Sequence, residues 1–234
     1  MAGGSFSVPR LFADMARFLA FRPMSDAVRE HRGKYLVAGL LATWLAGIGR
    51  YWDHPTARAW QVAGLGSLAY VVVLSLVLWL LLRPLWPRHW TLPNVLLFAT
   101  LTSPPALLYA IPVERFLPAD TAVRVNVWFL AIVAGWRVAL LVNFLRKVGG
   151  LSRFATLVAT LLPLTLIVTS LAALNLERAV FDIMGGIVDG PPSASDEAYA
   201  IVVALTLLSV TLSPFVVIAY IALAWAAWDV KSPV

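Results

Sequence analysis

The stretch GRYWDHP, Gly49 to Pro55, sets Arg50, Asp53 and His54 around two aromatic residues directly after an apolar run. A carboxylate beside an imidazole is a ligand pair for a divalent cation, and with a hydroxyl nearby the two can also move protons. Two more clusters share this make-up: Glu114 with Arg115, and Asn175 with Glu177, Arg178 and Asp182. A metal-dependent site would draw on Asp53, His54, Glu114, Glu177 and Asp182. Against it, the three His of the chain are scattered as His31, His54 and His89, and neither HExxH nor a GxSxG elbow occurs. With no Cys in the sequence, disulfides, thiolate metal sites and Cys nucleophiles are excluded. Each cluster falls where an apolar segment ends, and that suits a structural role. Glu114/Arg115 and Glu177/Arg178 would then pair across helix ends, while Tyr51 and Trp52 anchor a membrane interface. The structural role is the expectation, with no catalytic residue, metal or cofactor assigned.

Composition sets the frame for these clusters. Hydrophobic residues make up 61% of the 234 and charged residues 13%, with a mean hydropathy of +0.84. Ordinary soluble domains hold about 45–50% and about 25%. So much apolar surface fits a lipid-embedded helix bundle, and the ten Trp fit its two interfaces. Strands are excluded as spans, because open sheet edges are not tolerated in hydrocarbon. The net charge of +6 comes from basic residues that flank apolar segments instead of clustering, so nucleic acid is not an expected partner.

The stretches with few or no charges are Tyr35–Gly49, Gln61–Leu82, Thr91–Val113, Val125–Leu145, Phe154–Leu176 and Ala198–Trp228. About 20 apolar residues cross a bilayer. Six spans are therefore expected, five if the short first segment fails, with the last kinked, tilted or split at Pro214. Lys and Arg in the flanks divide twelve to one side and five to the other, with Arg137 inside a span, while four acids fall on the first side and eight on the second. The positive-inside rule then puts both termini in the cytoplasm. The resulting organisation is a cytoplasmic segment 1–34, a bundle 35–229 and a short tail 230–234.

The first 34 residues are too long and too basic for a signal-peptide n-region. Leu11, Phe12, Met15, Phe18 and Leu19 recur at helical spacing, with Ser7 to cap and Pro9 in the first turn. Arg10, Asp14 and Arg17 are expected on the opposite face. Such a helix either lies in the inner leaflet interface or packs on the end of the bundle.

Arg137 lies eight residues short of the basic loop that starts near Arg146, roughly 13 Å deep by the helical rise. A cation there is costly and usually faces the bundle interior. Prolines supply carbonyl partners, since each frees the one four residues earlier. Pro104 and Pro105 would free Thr100 and Leu101, Pro163 would free Ala159, and Pro214 would break the last span. A mid-membrane pocket is expected from Arg137, Asn126 (three turns away on nearly the same face), Thr100 and Ser103, with a lipid phosphate as its ligand. The competing role for Arg137 is to tie broken helices together.

The segment NVWFLAIVAGWRVALLVNFLRKVGGLSRFATLVATLLPL (Asn126–Leu164) resembles the Yip1-type membrane proteins of bacteria. It combines a Trp-containing span, a GxSR-like turn and a Pro-containing span. The lead-in FLAFRPMSDAVREHRGKY is similar as well, so the resemblance covers about half the chain. The family's five spans differ from six, and Asn175–Gly186 has no counterpart in it. The resemblance implies a non-enzymatic membrane protein that organises membrane or binds partners, and the excess of Arg over Lys with the Ala, Leu and Val bias makes a bacterial inner membrane its expected place. Membrane lipids, a partner chain or a second copy of this chain are its expected partners. Two other functions remain open from the residues: a small transporter or lipid translocator built on the broken helices around Arg137, and an outer-face metal-dependent enzyme using Asp53, His54 and Glu114.

Overall fold

The computed structural model describes residues 6–23, 25–52, 57–174 and 192–231. They are all helix, turn and loop, with no strand among the described residues. The helices are α1 (Val8–Leu19), α2 (Asp26–Glu30), α3 (Arg32–Tyr51), α4 (Ala59–Val62), α5 (Leu65–Leu82), α6 (Leu92–Leu101), α7 (Ala119–Lys147), α8 (Arg153–Ala173) and α9 (Pro192–Lys231). Short 3-10 turns cover Arg83–Leu85, Pro104–Ala110 and Val113–Arg115. The chain divides into two compact units, Met1–Leu80 with His89–Ile111, and Leu81–Arg88 with Pro112–Val234.

Among the described residues, four stretches are helical, long and apolar enough to cross a membrane: Leu65–Leu85, Thr121–Lys147, Arg153–Ala173 and Val203–Asp229. Leu92–Leu101 and Pro104–Arg115 together make a fifth, bent by 42° at their junction. The expected six is thus not reached among the described residues. The first segment, α3, is the one missing from the count. Arg32, Lys34 and Arg50 crowd the ends of its 20 residues, and four glycines dilute what lies between. The last segment is one continuous helix, not two.

In the first unit, Ser7 caps α1 as expected, its hydroxyl accepting from Arg10 N–H at 3.4 Å. The buried face of α1 is Leu11, Asp14, Met15 and Phe18. Asp14 therefore does not lie on the polar face with Arg10 and Arg17. Its spacing from Leu11 and Phe18, three and four residues, puts it on their side of the helix. It is 4% exposed, and Oδ2 accepts hydrogen bonds from the hydroxyls of Ser25 at 2.7 Å and Tyr35 at 2.6 Å. A buried carboxylate needs such donors. Phe18 adds an edge-on contact with Phe98 of α6, ring centres 6.0 Å apart. The other apolar stripe of α1, Val8 and Phe12, stays exposed.

In the second unit, α8 packs along α9 through Val158, Leu162 and Val216. Tyr220 of α9 donates its hydroxyl to the Leu81 carbonyl at 2.6 Å, tying the long helix to the turn at Arg83–Leu85. α9 otherwise leaves large side chains uncovered, among them Phe215, Ile218 and Trp225. Apolar surface on that scale is costly in water and ordinary against lipid. Pro214 does not interrupt α9, because the carbonyl it frees, that of Val210, accepts the Ser213 hydroxyl at 3.2 Å.

Replacing Asp14 with Ala removes the acceptor of one buried hydroxyl, that of Tyr35, and one half-buried, that of Ser25, a loss worth about 1–3 kcal/mol. Hydrogen exchange should rise over residues 8–19 and stay unchanged over 153–173; equal protection in D14A and wild type would show that the carboxylate does not hold α1.

Candidate functional site

The residues expected to share a mid-membrane pocket divide between the two units. Thr100 and Ser103 belong to the first, Asn126 and Arg137 to the second.

Small residues at every fourth position build the first of these sites. Gly39, Thr43 and Gly47 form one buried stripe on α3. Without side chains the backbones approach closely. A Cβ placed on Gly39 would stand 2.5 Å from Thr100 Oγ1 and 2.7 Å from Thr100 Cβ, and one on Gly47 2.6 Å from Ser67 Oγ. Within that contact Thr43 Oγ1 and Ser103 Oγ hydrogen-bond at 2.7 Å, and Thr43 also bonds the Gly39 carbonyl at 2.8 Å. Thr100 turns its hydroxyl to the Leu97 carbonyl at 2.9 Å, and Thr102 bonds that of Ala99 at 2.7 Å. The Thr100 carbonyl, expected to be freed by Pro104, accepts Ser103 N–H at 3.1 Å. Two prolines in succession end α6 instead of leaving a gap in it, and the tight turn satisfies what they expose. Thr100 and Ser103 are thus joints of a packed seam, each at most 2% exposed. Thr43, which completes that seam, was missed; its signal is the spacing Gly39–Thr43–Gly47, a helix-contact pattern readable in sequence.

In the second unit, Arg137 is half-buried on α7. Ala122, Val133, Leu140 and Phe144, all at most 6% exposed, lie on the same face by their spacing. Trp128, Ile132 and Trp136 lie on other faces and are exposed. Arg137 therefore lies on the covered side of a 27-residue apolar stretch. Asn126 occupies that side too, but its amide donates to the Glu114 carboxylate, in the 3-10 turn that leads into α7. Asn126, two turns into α7, thus serves the turn that precedes the helix, and Glu114, proposed as a metal ligand, is held by an amide.

The stretch around Gly49 is described up to Trp52. The Arg50 guanidinium lies over the rings of Tyr51 at 5.5 Å and Tyr109 at 5.6 Å, and Trp52 donates its indole N–H to the Ala110 carbonyl at 3.2 Å. These contacts fit the anchoring role. Arg115 follows Glu114 in its turn. Asp53, His54, Asn175, Glu177, Arg178 and Asp182 lie outside the described residues, and so does any site they would form. Among the described residues no group of three or more His, Cys, Asp or Glu is placed to hold a metal ion.

No protein-family model matches the chain, and neither a curated protein nor a solved structure matches it.

The seam is tight enough that one methyl group should disturb it. G39A should lower stability by about 1–3 kcal/mol, the usual cost of overpacking. Thermal unfolding in detergent will show the loss, and T100G should recover part of it in the double variant. Additive effects in that cycle would disprove the contact.

Proposed function

We propose that this chain is a non-enzymatic integral protein of a bacterial inner membrane, of the Yip1 type, that holds a lipid against Arg137 and organises membrane or partner chains around it. The observation that carries this reading is the position of Arg137, on the covered face of α7 within a long apolar stretch. A cation at that depth is sustained by an anionic group or a set of dipoles. A phospholipid brings a phosphate and chains that match the exposed apolar faces of α7 and α9. In this reading α3 is a sixth, short span, both termini face the cytoplasm, and α1 lies at the inner interface with Val8 and Phe12 in the headgroup region.

A second reading, lipid translocation or small-solute transport, is favoured by the 42° bend between Leu101 and Pro104. Interrupted helices near the midplane are what transport sites use.

Native mass spectrometry of protein extracted in mild detergent tests the lipid. R137L should retain at least about tenfold less phospholipid than wild type, as expected where one buried charge-assisted bond is lost, with R137K in between. Equal lipid retention in both variants would remove Arg137 as a ligand. Topology is checked separately by fusions at the two termini: green fluorescent protein should fluoresce at both and alkaline phosphatase should be inactive at both.

A further inference from the structure

The second unit carries a concentration of positive charge that neither the seam nor Arg137 uses. Arg83 and Arg88 stand in the segment that follows α5, Arg146 and Lys147 in the last turn of α7, and Arg153 in the first turn of α8. Backbone contacts sew these three pieces together. Arg88 N–H donates to the Gly149 carbonyl at 2.8 Å, and Leu151 N–H reaches back to the Leu145 carbonyl at 3.1 Å. Gly150 adopts φ +68, which turns the chain out of α7, and the Arg88 stem lies across it: a Cβ there would be 3.2 Å from Arg88 Cδ. All five cations are exposed. No acidic residue occurs in 81–91 or 146–153. Asp229 lies on α9 nine residues beyond Tyr220, whose hydroxyl meets the Leu81 carbonyl, and is exposed.

The charge is bordered by apolar surface. Trp86, 46% exposed and held at φ +48, stands between Arg83 and Arg88, and Phe154 is 58% exposed beside Arg153. From Phe154 an exposed apolar track continues along α8 through Leu157 and Leu164. A free phosphate would use the cations alone. A lipid uses both, because its headgroup meets the guanidinium groups while its chains follow the helix.

We propose that this end of the unit, the 83–88 turn with the α7–α8 junction, binds the headgroup of an anionic phospholipid. The site rests on the reading of the long apolar helices as membrane spans and is distinct from Arg137. Clusters of cations at the end of a spanning helix attract anionic headgroups at the membrane surface.

The experiment is native mass spectrometry of the full chain in mild detergent with dioleoyl phosphatidylglycerol or dioleoyl phosphatidylcholine added at equal mole fraction. Wild type should retain the glycerol lipid over the choline lipid by about tenfold, and R88Q/R146Q/R153Q should lose most of that preference, as removing three surface cations requires. Charge-keeping R88K/R146K/R153K should preserve it, and R115Q/R124Q, in the turn before α7 and near its start, should behave as wild type. Equal retention of the two lipids by wild type would overturn the site, as would an unchanged preference in the triple Gln variant or equal loss in the Lys variant. Complete displacement of the lipid by millimolar inorganic phosphate would make it a free-anion site, and displacement by a polyglutamate 20-mer a protein-docking surface; either overturns the proposal. A chain that stayed monodisperse without detergent would sink the membrane reading itself, which sets that failure apart from the loss of this site.

Discussion

Every carbonyl that proline strips of its partner must find another donor, and in an apolar helix the only donors at hand are side chains and the next turn. Much of the architecture follows from how this demand is met. One proline in α9 is absorbed, because Ser213 stands beside Pro214 and reaches the Val210 carbonyl. Two prolines after α6 remove successive N–H groups, more than one hydroxyl can replace. There the helix stops, the Thr100 carbonyl takes Ser103 N–H, and the chain resumes as a tighter turn bent away by 42°. Thr100, which looks in sequence like polar lining, turns its hydroxyl to the Leu97 carbonyl, and Thr102 bonds that of Ala99 in the same way.

α3 and α9 show two opposite ways for a helix to be held. α3 is the less apolar, yet its Gly39–Thr43–Gly47 stripe brings the backbone against Thr100 and Ser67, so packing at very short range and one shared hydroxyl pair secure it. α9 is far longer and more apolar; among its described side chains Val216 meets Val158 and Leu162, Tyr220 reaches Leu81, and many large ones stay exposed. A helix with small residues on one face is suited to protein contact, and one with large residues all round to a lipid surround.

Charge obeys the same division. The cations at the α7–α8 junction stand exposed at helix ends, and Arg137 stands half-buried on the covered side of α7, on the face of Val133, Leu140 and Phe144. Asp14 is the counterexample that shows what burial demands. It is accepted inside the first unit because two hydroxyls, one from 11 residues away and one from 21, converge on a single oxygen.

By itself the sequence determined the all-helical class, the long apolar segments and the capping of α1 by Ser7, because these depend on composition and on residues within a turn or two of each other. It also carried the place of Arg137 within a long apolar helix, which needs only the spacing of charges along the chain. The tertiary structure alone decided which polar groups meet. Thr43 finds Ser103 across 60 positions, Tyr35 finds Asp14, and Asn126 turns to Glu114 instead of joining Arg137. Periodicity states which face of a helix a residue occupies but not what that face will touch, and a hydroxyl or an amide is satisfied by whichever partner the packing brings within three ångströms or so. Thr100 and Ser103 fall in one compact unit and Asn126 and Arg137 in the other, a division that position along separate helices does not set.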